Sequence, residues 1–476
     1  MTIASSHWHD RKALLTRVQP HAVLLWCLGC SLLVAKSLPQ LHRTAHHILY
    51  LHFQPMLPPL TLLWLWGAAV RRFTSLGIDY ESCFIAKDRR YLLPGHDIQK
   101  VALVLLGITL SWCALYCAAC LAHWYSLAEF VPLMLYTSLA AAILLPLPIF
   151  FHATRQYFVA TWMRVMLPLD EVTWADFLLA DMLCSLSKSS ADFAQSMCHM
   201  ATGRVMKELA SPRHQDSELC RPVAPLLLLG LTYPYLVRFA QCLRVYSATR
   251  NTAQLFNAAK YCSSLPTLLL GAWAHEAHAT GQGFSLHRAW LLASALNSAF
   301  SFYWDVEQDW DMPWLWAGLG PGRWRAPPPL VGPLDGLGHS RSFTAWRWLL
   351  PGLKPDALYR PRLWYAWALA TNLVLRLAWL HRLILRLDLS PAFSLALGLA
   401  EAWRRYQWSF IRIETELRKL ATKHGSSSLL PPAQPPAPVT PAAGSASVRC
   451  LLYQSSLTGP SCGSGGMGWV GRKRQG

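Results

Sequence analysis

Charged residues interrupt apolar segments in the second half of this 476-residue chain. An ionisable side chain inside a membrane-spanning helix costs at least about 2–3 kcal/mol, so it indicates a function. The cations are Arg238, Lys260, Arg376, Arg404 and Arg405, and the anions are Asp181, Asp305, Asp309 and Glu401. A guanidinium group presents a fork of donors that suits a tetrahedral oxyanion, and a carboxylate can orient that group or accept a hydrogen bond from a protonated oxyanion. The pattern predicts an anion pathway.

Two pairs within this set share a helix face because their members are four residues apart: Asp305 with Asp309, and Glu401 with Arg405. The aspartate pair is similar to the metal-binding aspartates of CDP-alcohol phosphotransferases. Those enzymes also need an Asp-Gly-x-x-Ala-Arg element upstream, and the only similar piece here, DGLGHSR at 335–341, lies downstream. The sequence therefore does not favour an enzyme.

The alternative is that the buried charges are ion pairs that fix helix register, or helix-end side chains that extend to lipid headgroups. Arg244 and Arg412 lie near the ends of apolar segments and are expected to reach the headgroups in this way. For five cations and four anions on separate segments, we favour a polar pathway.

The surrounding elements are predicted to be membrane-spanning helices. Hydrophobic residues make up 53% of the chain and charged residues only 14%, whereas a soluble protein carries about a quarter. Apolar runs of about 20 residues, the length that crosses the hydrocarbon, recur along the chain. The predicted spans are 20–38, 51–70, 100–122, 127–151, 172–187, 222–245, 253–275, 286–304, 361–386 and 391–412. The predicted fold is an all-α, polytopic transmembrane bundle of about ten spans.

The span at 172–187 is short and contains Asp176 and Asp181, which is typical of a broken or re-entrant helix lining a cavity. With ten spans, both termini face the cytosol, and so do the basic loops at 71–99 and 305–360. The loop at 188–221 then faces outward despite its own basic residues, in conflict with the positive-inside rule. The formal charge of +18 collects in such loops, and no nucleic-acid-binding motif accompanies it, so no nucleic-acid partner is predicted.

Two C-x-x-C pairs, Cys27/Cys30 and Cys117/Cys120, lie inside apolar runs with no nearby His or second pair. A zinc site needs four ligands, so these cysteines are predicted to pack as small apolar residues. We predict neither a metal nor another cofactor.

Five blocks of the sequence resemble the EXS domain family, the membrane domain of the SPX–EXS phosphate exporters. The blocks are WADFLLADMLCSLSKSSADF (174–193), RFAQCLRVYSATRNTAQLFNAAKYCSS (238–264), SFYWDVEQDW (301–310), WYAWALATNLVLRLAW (364–379) and EAWRRYQWSFIRIETE (401–416). They occur in family order over about half of the chain, and their combination is specific.

The resemblance implies a ten-helix path for inorganic phosphate. It implies substrate contacts for Asp181, Arg238, Lys260, Asp305, Asp309, Arg376, Arg404 and Arg405, and a gate formed by Trp379 and Glu401. About twenty residues precede the first span, too few for the SPX module that senses inositol polyphosphates. The chain is therefore closest in architecture to the SPX-less members that resemble the yeast ER-retention-defective protein, and by analogy we expect it in the Golgi or a related endomembrane.

The expected division is a cytosolic tail at 1–19, four helices at 20–152, an EXS domain with the pathway at 153–420, and a disordered Pro-, Ala- and Ser-rich tail at 421–476. The expected partners are inorganic phosphate and the lipid bilayer; a homodimer and Golgi trafficking partners stay open. The alternative function is a Golgi membrane protein needed for retention or recycling of glycosylation enzymes and ER residents.

Overall fold

The protein is seen here in a computed structural model, which describes residues 19–146, 151–203, 220, 223–279, 284–313, 357–381 and 390–424. These residues form helices and connecting turns, without a strand among them. The α-helices are α1 Pro20–Ser37, α2 Arg43–Phe53, α3 Leu57–Ser75, α4 Ala86–Arg89, α5 Gly95–Leu121, α6 Tyr125–Leu144, α7 His152–Met166, α8 Trp174–Ser185, α9 Ser187–Ala201, α10 Pro225–Thr249, α11 Ala253–Ala279, α12 Phe284–Tyr303, α13 Leu363–Arg376 and α14 Pro391–His424. The predicted all-α fold is confirmed.

Four helical segments within those ranges are long and apolar enough to cross a membrane: Pro20–Gln40, Gly95–Leu121, Tyr125–Leu144 and Pro225–Thr249. The chain is therefore a polytopic membrane protein, while the number of ten spans stays a prediction. The other predicted spans coincide at least partly with helices. Several of those helices carry the charged residues, which lower the mean hydropathy of any window that contains them.

The predicted span at 172–187 is a short helix that breaks at Leu186. Thr173 and Asp176 form a capping box at its start, in which the Asp176 carboxylate accepts from Thr173 N at 3.0 Å. Asp176 also pairs with Arg164 at 2.9 Å, so one of the two acids of this span has a structural role. A new helix, α9, begins at Ser187 and runs to Ala201. The prediction of a loop from 188 was therefore wrong as far as Ala201.

The helix that was predicted to end at 304 continues through a π-helical segment, Trp304–Asp309. The loop predicted to begin at 305 was wrong for these residues. Both Asp305 and Asp309 are buried. Because the helix continues to Asp309, their carboxylates lie beside cations of neighbouring helices, Arg376 and Arg412. Single π-helical turns inside α-helices are frequent at functional sites.

The two largest buried clusters of the described residues join helices from different parts of the chain. Phe73 of α3, Tyr365 of α13 and Trp408 of α14 belong to one of them. The other joins α2, α5 and α6 through Ile48, Tyr116 and Leu135, and the predicted apolar Cys117 packs within it. Lipid tails are as apolar as these side chains, so close van der Waals packing, rather than escape from water, stabilises the contacts.

A disulfide joins Cys198, near the end of α9, to Cys220, five residues before α10 begins. The bond spans 22 residues of sequence. This bond was not predicted, because nothing in the spacing of the two cysteines distinguishes them from the other cysteines of the chain.

Candidate anion-binding site

A polar cavity of about 40 Å³ lies between α8, α10, α11, α12, α13 and α14. A water molecule requires about 10–15 Å³ on this scale, so the cavity has room for a small solute. Its lining consists of Asp181, Cys184, Ser185, Tyr235, Lys260, Tyr261, Ser264, Asn297, Ser301, Asp305, Asp309, Arg376, Glu401, Arg404 and Arg405. Eight of the ten residues singled out in the sequence are among them; Arg238 and Trp379 are not. Their role in substrate binding stays a prediction.

Asp181 on α8 lies between two arginines and a tyrosine hydroxyl. Its Oδ1 accepts from Arg238 Nε at 2.6 Å and from the Tyr261 hydroxyl at 2.7 Å. Its Oδ2 lies 3.6 Å from Arg405 Nη1. Arg238 also donates to Gln241 at 2.6 Å, and its guanidinium lies over the Phe177 ring. Arg238 therefore stands behind the cavity wall and fixes Asp181 rather than facing the cavity itself.

Asp305 and Glu401 form a second charged group, together with Arg376 and Arg404. Asp305 Oδ2 lies 2.7 Å from Arg376 Nη2 and 3.4 Å from Arg404 Nη1. Arg404 also donates to both oxygens of Glu401, at 2.6 and 2.8 Å. The structure thus pairs Glu401 with Arg404, three residues away, and not with Arg405, which shares its predicted helix face.

Arg404 and Arg405 point in different directions because consecutive helix residues are about 100° apart around the axis. Arg405 Nε donates to Ser185 Oγ of α8 at 2.9 Å, and its guanidinium lies over the Trp408 ring at 4.3 Å. The adjacent residues Arg404 and Arg405 therefore supply one cation to each of the two charged groups.

Lys260 and Asp309 also line the cavity, but neither is closely paired with an opposite charge. The Lys260 ammonium lies 4.1 Å from the Tyr261 ring centroid and 5.3 Å from that of Trp304. No carboxylate of the described residues lies within ion-pair distance of it. Asp309 Oδ2 accepts from Trp408 Nε1 at 3.1 Å, and its nearest cationic atom is Arg412 Nε, 3.8 Å from Oδ1.

The predicted gate residue Trp379 lies beside the cavity, on the short turn Ala378–Leu380. Its Nε1 donates to Ser298 Oγ at 2.9 Å, and Ser298 in turn donates to the carbonyl oxygen of Arg376 at 2.8 Å. The Trp290 ring packs edge-on against it at 6.0 Å. Ser298 thereby ties the indole to the backbone of a cavity residue.

Sequence reasoning missed several participants. Arg412 was expected to reach the headgroups, yet it is buried, with its guanidinium over Trp174 at 4.8 Å and its Nε facing Asp309. Its position was misjudged because hydropathy marks where an apolar run ends and not where the helix bundle ends. Tyr261 and Ser298 carry no charge, so no signal used on the sequence could have found them.

Comparison with known proteins adds a family and several relatives. The family described as EXS family matches residues 49–418. The chain is 26% identical to SPX and EXS domain-containing protein 1 of Dictyostelium discoideum over 75% of this chain and 36% of that protein. It is 26% identical to Protein ERD1 homolog 1 of Schizosaccharomyces pombe over 61% of this chain and 69% of that protein.

A third relative is Phosphate transporter PHO1 homolog 8 of Arabidopsis thaliana. It is 26% identical over 61% of this chain and 34% of that protein. The match therefore spans about a third of the length of the Dictyostelium and Arabidopsis relatives.

Proposed function

We propose that this chain, which belongs to the EXS family, carries inorganic phosphate across a membrane through the cavity described above. The matched region supports an integral membrane protein, and one relative is named as a phosphate transporter. The observation that carries the proposal is Lys260, a buried cation that faces the cavity without a closely paired carboxylate. A buried charge without a closely paired opposite charge destabilises the fold. Such a charge is typical of a site where a bound ligand supplies the opposite charge.

The charges of the cavity fit a small anion. Four cations and four carboxylates line it, and Arg238 adds a fifth cation behind Asp181. One positive charge is left over, which a phosphate anion would balance. Phosphate would meet Lys260 first as a point charge and Arg405 as a donor fork, since both contribute less to internal pairs than Arg404 does.

The Cys198–Cys220 bond supports an orientation. Disulfides persist where the compartment is oxidising, so this end of α9 and α10 is proposed to face the lumen or the outside. That is the side proposed for the 188–221 segment when both termini are cytosolic. The division at 20–152 and 153–420, a homodimer, and a Golgi or related endomembrane location are kept as parts of the proposal.

A second candidate function is retention or recycling of Golgi glycosylation enzymes and ER residents. The observation in its favour is that the match covers 69% of Protein ERD1 homolog 1, a much larger share than for the relatives that carry an SPX domain in their name. Removing both chain ends separates the two candidates: a scaffold should lose its function, whereas a transporter should keep its phosphate flux.

The test is radiolabelled phosphate flux in proteoliposomes that contain only this protein. Replacement of Lys260→Met keeps the aliphatic stem and removes the charge, and we expect flux to fall about 100-fold with the amount of folded protein unchanged. The matched control is Lys188→Met, an exposed lysine on α9. Equal flux in the parent and in Lys260→Met would contradict the role of Lys260, and no flux above empty liposomes in the parent would contradict transport.

A further inference from the structure

Asn372 holds a cation of the cavity although it is not among the residues that line the cavity. It lies on α13, one helical turn before Arg376, and is buried. Its Oδ1 accepts a hydrogen bond from Arg404 Nη1 at 3.0 Å. Asn372 was not among the predicted site residues, because an amide carries no charge.

Arg404 has hydrogen-bond acceptors on three other residues. Its Nε and Nη2 donate to the two oxygens of Glu401, at 2.8 and 2.6 Å. Its Nη1 donates to Asn372 Oδ1 and, at 3.4 Å, to Asp305 Oδ2. An Nη atom of a guanidinium carries two hydrogens, so Nη1 has none left for a ligand while it makes both bonds. Because Arg404 lines the cavity, an anion that binds to Nη1 must displace one of these two acceptors.

The two acceptors of Nη1 differ in charge. Asp305 pairs with Arg404 as an ionised carboxylate and is also bound to Arg376 at 2.7 Å. Asn372 offers only a neutral amide oxygen, which attracts a guanidinium less strongly than a carboxylate does. The bond to Asn372 is therefore the one that an incoming anion displaces more easily.

The amide nitrogen of Asn372 points to a second arrangement of this side chain. Its Nδ2 is buried and has no hydrogen-bond partner among the described residues. A buried donor without an acceptor destabilises the fold. Asp305 Oδ2 lies beside the same Nη1 atom that Asn372 holds. When Arg404 turns to an anion, rotation of the amide can therefore offer Nδ2 to that carboxylate, which replaces the bond that Asn372 loses.

We propose that Asn372 is a positioning residue that sets how readily Arg404 exchanges between the protein and the transported anion. The inference rests on the proposed function and deepens it. Conduction requires a site that binds an ion firmly enough for entry and loosely enough for release. Asn372 supplies a neutral acceptor that gives up Arg404 when the anion binds and takes it back when the anion leaves.

Two substitutions change this acceptor in opposite directions. Asn372→Leu removes the acceptor and keeps a side chain of similar size, so that Nη1 of Arg404 is freer for the anion. Asn372→Asp keeps the shape and adds a negative charge, so that a third carboxylate holds Arg404 and repels the anion. The measurement is uptake of radiolabelled phosphate over a range of concentrations by proteoliposomes that contain the full chain, normalised to folded protein.

The two variants are expected to shift the half-saturating phosphate concentration in opposite directions. In Asn372→Leu it should fall about two- to fivefold, and the maximal flux should fall about threefold because the anion leaves more slowly. In Asn372→Asp it should rise about tenfold or more. The matched control is Asn251→Asp, at an exposed asparagine before α11 whose Oδ1 accepts from Ala253 N. This control should keep both values of the parent.

The outcomes separate this inference from the proposed function. A parent that carries no phosphate would overturn both. A parent that carries phosphate, with half-saturation unchanged or shifted in the same direction in the two folded variants, would overturn only the role of Asn372, since structural damage lowers the maximal flux without opposite shifts. If only one variant folds, the direction of its shift decides. If neither folds, Asn372 is a structural residue and the inference fails.

Discussion

Asp181 and Asp309 are carboxylates of the same cavity, but their surroundings differ in one respect. Asp181 is held by an arginine and a tyrosine hydroxyl on a single oxygen, with a second arginine nearby. Asp309 is held by one indole. A fully paired carboxylate fixes the helices that bring its partners, whereas a partly paired one is available to a ligand. We therefore propose that the cavity has a structural side around Asp181 and a binding side around Lys260.

The largest effect is expected when Asp181 loses its closest cation, Arg238. Arg238→Met leaves a buried carboxylate without its closest cation, and we expect a loss of about 3–5 kcal/mol of stability, enough to abolish folded protein. The measurement is the yield of monodisperse protein and its thermal unfolding midpoint in detergent. Arg244→Met, an exposed position on the same helix, is the control and should behave like the parent. Normal yield for Arg238→Met would show that Asp181 does not hold the fold.

A smaller but sharper effect is expected at Arg405, which lies between the two sides. Asp181 keeps Arg238 and Tyr261 when Arg405 is lost, so Arg405→Ala should fold while phosphate flux falls about tenfold to 100-fold. Arg405→Lys should restore part of the flux, because an ammonium replaces the charge but not the donor fork. Flux in proteoliposomes, normalised to folded protein, checks both. Full recovery with lysine would mean that only charge is needed there.

The smallest effect is expected at Ser298, which touches neither side directly. Ser298→Ala removes the hydroxyl that holds the Trp379 indole, at a cost of about 1 kcal/mol. If Trp379 restricts the pathway, flux should rise about two- to fivefold in proteoliposomes. Ser247→Ala, an exposed serine whose hydroxyl bonds only to the backbone of its own helix, is the control. Unchanged flux would leave Trp379 without a role that depends on this bond.

The sequence predicted most of the charged side chains that line the cavity, with Arg412 behind them missed, but not how they pair. Hydropathy and residue type sufficed to select Lys260 and Arg405, because a charged residue within an apolar run must face a polar cavity or an opposite charge. The pairing depends on how each helix is rotated against its neighbours, which a single sequence does not contain. For this reason the i, i+4 spacing suggested Glu401 with Arg405, while the structure pairs Glu401 with Arg404.

The backbone irregularities were predicted only in part, because a broken helix was expected at 172–187 but the π-helical turn was not. Neither the break at Leu186 nor the π-helical turn at Trp304–Asp309 contains Gly or Pro, so no helix-breaking residue marks them. Both place acids of the cavity: Asp181 lies one turn before the break, and Asp305 and Asp309 lie within the turn. These acids pair with cations of other helices, and such tertiary contacts cannot be read from the local sequence.

The disulfide between Cys198 and Cys220 also makes the direction of insertion readable. In a vesicle, a reductant that cannot cross the bilayer reaches this bond only in molecules whose disulfide end points into the medium. After prior alkylation of accessible thiols such as that of the exposed Cys262, the two sulfhydryls released by reduction can be counted with an impermeant maleimide. The fraction of molecules in each orientation can therefore be measured. Each flux measured in liposomes can then be assigned to one face of the protein.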